Sequence, residues 1–133
     1  MIPKRSLAAL AATGFTLFAG AAVPGLANAA AEAPRQCFST SRVSNYAAVD
    51  DRHVNVRVGV RDVYELEFLN RCPDVDWSRK IGISGRGSGS VCAGKAFATV
   101  VVSDGLRPRR CEVTRARKLT PEEVAALPSK QRP

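Results

Sequence analysis

The chain has 133 residues, with 20 Lys and Arg against 12 Asp and Glu, four cysteines, one histidine and one tryptophan. That length holds one domain with a core of modest size. A lone histidine, His53, and four cysteines without a Cys-x-x-Cys pair argue against a zinc site or a dithiol redox motif.

The N-terminal segment has the three parts of a secretory signal: Lys4 and Arg5, an apolar run from Leu7 to about Val23, and the small residues Ala27-Asn28-Ala29. The run is rich in Ala and Gly and is broken by Pro24-Gly25, which disfavours a permanent membrane anchor. Residues 1–29 therefore read as a cleaved signal peptide, with cleavage after Ala31 as the alternative, and 30–36 as a tether. No membrane span remains after cleavage, so the protein is expected to be exported, either periplasmic or secreted. An even number of cysteines in an oxidising compartment predicts two disulfides.

From Cys37 to Val49 the patterning is weak, with Val43 and Tyr46 as core candidates, and Asp50-Asp51 reads as a turn. Between His53 and Leu69 apolar residues alternate: Val54, Val56 and Val58, then Tyr64, Leu66 and Phe68. That is strand periodicity with one buried face. A connection at Val60-Arg61-Asp62 predicts a hairpin with Val58 facing Tyr64, Val56 facing Leu66, Val54 facing Phe68 and Arg57 facing Glu65. Glu65 and Glu67, although they share a face, read as a solvated strand face rather than an acid/base pair.

After Cys72-Pro73 the chain turns through Asp74-Val75-Asp76 and passes Trp77, expected as a core or rim aromatic, before a short strand at Ile81-Gly82-Ile83. Asp74 and Asp76 lack the Gly and the distant Glu of a calcium loop. Gly89, Gly94 and Lys95 match the front of a phosphate-binding loop, but Ala96 stands where its hydroxyl belongs and no helix follows. Ala96 to Val102 is a nearly continuous apolar run, expected to be covered on both faces. A last strand starts near Cys111, and Thr120-Pro121-Glu122-Glu123 has the capping-box arrangement of a short helix from Pro121 to about Leu127. Pro128 ends it, leaving 128–133 as a loose tail after a domain over 37–127. The expected fold is mainly β, with α+β as the variant: a small antiparallel sheet or partly closed barrel with two disulfides and a short C-terminal helix.

Four cysteines allow three pairings, and spacing does not decide among them. A strict meander would join Cys72 to Cys111 and Cys37 to Cys92. The shortness of the Ile81–Ile83 strand favours instead Cys72 with Cys92, nested inside Cys37 with Cys111.

The densest basic cluster is Arg107, Arg109, Arg110, Arg115, Arg117 and Lys118. It defines a candidate surface for an anionic envelope component or another protein, against the plainer reading that it solvates an edge strand. Few aromatics interleave with it, which disfavours nucleic acid. Oxidised cysteines are not nucleophiles, no Gly-x-Ser-x-Gly motif is present, and His53 opens a strand beside a turn, so no catalytic, cofactor or metal residue is assigned. The reading is a non-enzymatic binding or structural module of the cell envelope. The alternative is a small hydrolase, or a protein inhibitor presenting a disulfide-framed loop.

The order Cys37-Phe38, Asp50-Asp51-Arg52, Tyr64-Glu65-Leu66, Cys72-Pro73-Asp74 with Trp77, Val91-Cys92-Ala93-Gly94, Arg110-Cys111 and Leu119-Thr120-Pro121-Glu122-Glu123 resembles a family of short exported bacterial proteins classed as a domain of unknown function. The resemblance covers roughly residues 35 to 127. It implies a β-rich envelope or extracellular domain and brings no activity, cofactor or catalytic residue with it.

Overall fold

The computed structural model describes residues 35–133 apart from Arg79, Ser88 and Asp104. The proposed signal peptide and most of the tether lie outside the described residues. Eight strands follow in order: β1 (Cys37–Ser39), β2 (Val43–Ala48), β3 (His53–Val58), β4 (Asp62–Phe68), β5 (Lys80–Gly85), β6 (Ser90–Cys92), β7 (Gly94–Ser103) and β8 (Pro108–Lys118), then one helix, α1 (Pro121–Ala126). Six strands form an antiparallel sheet in the order β2-β3-β4-β8-β7-β5, and β1 pairs with β6 in a separate ribbon. The six-stranded sheet curls until it is nearly closed. Across the gap between its edge strands, the Tyr46 hydroxyl donates to the Ser78 carbonyl. This is the partly closed barrel anticipated from the strand patterning.

The alternating residues of β3 and β4 fill the interior as expected: Val54, Val56, Val58, Tyr64, Leu66 and Phe68 are all buried. Phe38 closes over them, its ring centroid 4.6 Å from that of Tyr64. The register differs from the expected one by two residues. Val56 faces Tyr64, Val54 faces Leu66 and Arg57 faces Val63, with Gly59 in the turn at φ +63°. A two-residue slip keeps every side chain on its own face, so the apolar pattern alone does not choose between the two pairings. The left-handed glycine fixes the choice, because the turn closes there at little steric cost.

β7 is buried on one face only. Ala96, Ala98, Val100 and Val102 point inward, whereas Phe97 is 65% exposed. Phe97 and Val101, apolar residues on its outer face, make the run look uniformly apolar in sequence. In β8 a bulge opposite Glu67/Phe68 and Lys95/Ala98 turns both Val113 and Ala116 inward, which throws Arg115 and Arg117 outward.

The disulfides are Cys37–Cys92 and Cys72–Cys111, and not the nested pairs favoured above. β5 is six residues long, about 20 Å of strand. It therefore carries the chain along the barrel and separates Cys72 from Cys92. Cys37 and Cys92 are directly opposite each other in the β1–β6 ribbon, with Cα atoms 3.9 Å apart. Cys72 leaves the end of β4, which runs beside β8, and reaches Cys111 at a Cα separation of 5.7 Å. Gly85 ends β5 against the backbone of Ser90, where an added Cβ would lie 2.6 Å from the Ser90 carbonyl oxygen, so only glycine fits.

The helix starts as its sequence dictates. Thr120 Oγ1 accepts from the Glu123 N–H at 3.2 Å, and the Glu123 carboxylate accepts from the Thr120 N–H at 2.8 Å. The residues after it are not loose. Ser129–Gln131 forms a 3-10 turn, the Asn55 amide donates to the Gln131 carbonyl at 2.8 Å, and Arg57 Nε donates to the Pro133 carbonyl oxygen at 2.8 Å. Asn55 is fully buried on the outer side of β3, and the Gln131 carbonyl supplies the partner that its amide N–H needs there, while its Oδ1 has no hydrogen-bond partner among the described residues.

Candidate binding surface

β8 divides the basic cluster between the two ends of the barrel. Arg107, Arg109 and Arg110 lie at the end where β8 begins, and Arg115, Arg117 and Lys118 lie near its other end, about 17 Å further along at strand rise. The second group is neutralised. Arg115 faces Glu67 at 3.8 Å, Arg117 bridges Glu65 at 3.3 Å and Glu123 at 2.5 Å, and Lys118 meets Asp62 at 3.0 Å. The hydrogen bond that Arg117 donates to Glu123 raises the Arg117 pKa, and the bond that Lys118 donates to Asp62 raises that of Lys118, so both cations are held by neighbours. Glu65 and Glu67 are thereby ion-pair partners on the strand face.

In the first group Arg109 pairs with Asp74 at 3.4 Å, and no carboxylate pairs with Arg110 among the described residues. Arg107 and Arg109 border a hollow of about 380 Å³ together with Asp74 and Leu106. The structure thus brings together three of the six predicted residues and sets the other three apart.

Two residues not assigned from sequence join this end. Trp77, expected in the core or rim, is 81% exposed, and Leu106 is 89% exposed. The turn that presents Trp77 is built rather than slack. Asp74 adopts φ 71°, and its carbonyl accepts from the N–H groups of Trp77 at 3.2 Å and Ser78 at 3.1 Å and from Ser78 Oγ at 2.9 Å. Val75, 1% exposed, is the residue that turns inward, and Cys72 ties the turn to β8. With Val75 filling the core position, the indole faces water. The signal in the sequence was the polar setting of the tryptophan, Asp76 before it and Ser78-Arg79-Lys80 after it.

His53 is occupied differently. Its Nδ1 lies 2.9 and 3.0 Å from the two Asp50 carboxylate oxygens, and Asp50 Oδ1 also accepts from the N–H groups of Arg52 and His53 at 2.7 Å each. Burial tends to raise the Asp50 pKa, but the Arg52 N–H, the His53 ring and the His53 N–H outweigh it, and the carboxyl is held below its ordinary value. The pair closes the β2–β3 turn. Among the described residues no group of three or more metal-ligating side chains converges, and no helix is long and apolar enough to cross a membrane.

A family model described as a family of unknown function (DUF6491) matches residues 3–133. No curated protein and no solved structure matches the chain.

Proposed function

The chain belongs to this family of unknown function (DUF6491), and we propose that it serves as a non-enzymatic binding domain of the bacterial cell envelope. Its contact surface is the barrel end that carries Trp77, Leu106, Arg107, Arg109 and Arg110, and its partner is anionic. Two disulfides suit an oxidising extracellular compartment. Export is supported by the Lys4-Arg5 start, the apolar run and the small residues at 27–29.

The observation that carries the reading is Trp77. A domain with one tryptophan would ordinarily bury it for the area it contributes, yet here a disulfide-anchored turn, whose Asp74 pairs with Arg109, holds it in water. Tryptophan and arginine are the residue types most enriched where binding energy concentrates. His53 is engaged in closing a turn, which supports binding over hydrolysis. The 72–92 segment is not closed by its own disulfide, which removes the frame an inhibitory loop was expected to have.

The test is retention of the disulfide-bonded protein on vesicles or polysaccharides of negative charge. Retention should fall as salt rises and should weaken in W77A and in R109Q/R110Q. Retention that is indifferent to salt and to these substitutions contradicts the reading.

A further inference from the structure

A second hollow at the same end, of about 530 Å³, lies beside the Cys72–Cys111 disulfide, with Asn70, Arg71, Thr99, Arg109, Arg110 and Glu112 on its walls. It forms because β8 starts before β4 has a residue to pair with it. The last pair is Phe68 with Val113, followed by one further bond from the Leu69 N–H to the Glu112 carbonyl at 2.8 Å. Beyond that bond the 69–73 segment leaves the sheet and is drawn back at Cys72, so a gap opens along the first residues of β8. In an antiparallel strand the N–H and C=O of one residue point to the same side and alternate from residue to residue. The Glu112 carbonyl points toward Leu69, so the backbone N–H of Arg110 points to that side too, into the gap.

Arg71, Arg109 and Arg110 line the hollow beside this backbone donor. Arg71 is tied to Asp51 through Nε, which leaves its two Nη groups as donors, and Arg109 contacts Asp74 through Nη2 alone. Arg110 has no carboxylate partner among the described residues. Glu112 opposes an anion here, as do Asp51 and Asp74 from behind the first two arginines. Arg52, whose guanidinium donates to the Leu69 carbonyl at 3.2 Å, and Arg107 add positive charge at the same end. The Asn70 amide and the Thr99 hydroxyl supply neutral donors.

We propose that this groove binds a phosphate group. The inference rests on the reading of this end as an anion-contacting surface and names its ligand chemistry. A carboxylate offers two oxygens, fewer than the donors gathered here, whereas a terminal phosphate presents three oxygens with more charge and matches the planar fork of arginine. The phosphate is the end group either of a soluble phosphate monoester or of a lipid headgroup. In the second case Trp77 and Leu106, exposed on the adjoining loops, meet the lipid interface.

The experiment is an NMR titration of the disulfide-bonded protein with pyrophosphate at low salt, alongside sedimentation with phosphatidic acid and phosphatidylcholine vesicles. Pyrophosphate should move the amide signals of Asn70, Arg71 and Arg110. R110Q should weaken binding about tenfold or more, as expected for the loss of hydrogen bonds from a charged donor. R71Q should weaken it in the same direction, and R117Q should leave it unchanged. Sedimentation with phosphatidic acid that pyrophosphate competes away identifies a headgroup, and pyrophosphate binding without sedimentation identifies a soluble ester. Anionic retention that persists in both R110Q and R71Q, with the Asn70 and Arg110 signals unmoved, overturns the groove and leaves the wider reading standing. Absence of retention on every anionic probe overturns that reading itself.

Discussion

Arg57 and Pro133, 76 positions apart, meet on the outer side of β3, where the arginine donates to the proline's carbonyl oxygen from both Nε and Nη2. With the Asn55–Gln131 bond, this contact fastens the last residues of the chain over one face of the barrel. Arg57→Ala should lower stability by about 1–2 kcal/mol, the range for hydrogen bonds from a charged donor at a partly covered site. Urea denaturation checks this, and an unchanged midpoint would mean that the segment contributes nothing to the fold.

The two disulfides close loops of similar length, with sequence separations of 55 and 39, so chain entropy assigns each about 4 kcal/mol and does not separate them. Access separates them. Cys37 is exposed, whereas Cys72 and Cys111 are 0% and 7% exposed. Under graded reductant with alkylation and peptide mapping, Cys37 and Cys92 should be labelled first, because thiolate attack needs a reachable sulfur. Earlier labelling of Cys72 would contradict the burial described for it.

Asp50 gives the β2–β3 turn a pH dependence. Its folded pKa lies below the unfolded value of about 3.9, so its contribution is complete above that value and is lost as pH falls through the folded one. Asp50→Ala should cost about 1 kcal/mol near neutral pH through the lost turn bonds, and its gap to the parent protein should narrow below about pH 4. Thermal melts across that range test the sign. A gap that widens on acidification would show the carboxyl to be destabilised by folding.

At the C-terminal helix, Thr120→Ala removes the side-chain acceptor for the Glu123 N–H and should cost about 1 kcal/mol. Arg117→Gln should cost less than that, because its partners Glu65 and Glu123 form an exposed network that water and salt screen. A loss in Arg117→Gln larger than that in Thr120→Ala would place more of the helix's anchoring in the ion pairs than in the cap.

Local patterns in the chain were legible where a single physical rule governs them. The alternation from Val54 to Phe68 named the buried faces of β3 and β4, and Thr120 to Glu123 named a cap that forms as read. Long-range choices were not legible. The β3–β4 register turns on a glycine's left-handed backbone rather than on face pattern, and the disulfide pairing turns on how far β5 carries the chain. The basic cluster looks contiguous from Arg107 to Lys118, but carboxylates from β4, remote in sequence, and Glu123 of α1, six residues on, take up Arg115 and Arg117. Trp77 was misplaced because apolar area argues for burial, while the adjacent Val75 fits the inward position that the Asp74 turn creates.

Trp77 also supplies the most direct test, since it is the chain's one tryptophan and its fluorescence reports on the proposed contact end without a label. In the unliganded protein its emission should be that of an indole in water and should be readily quenched by acrylamide. On adding phosphatidic acid vesicles that sediment the protein, the emission should shift to the blue and quenching should fall. Sedimentation with emission and quenching both unchanged would mean that the protein binds through another surface, and would contradict the account.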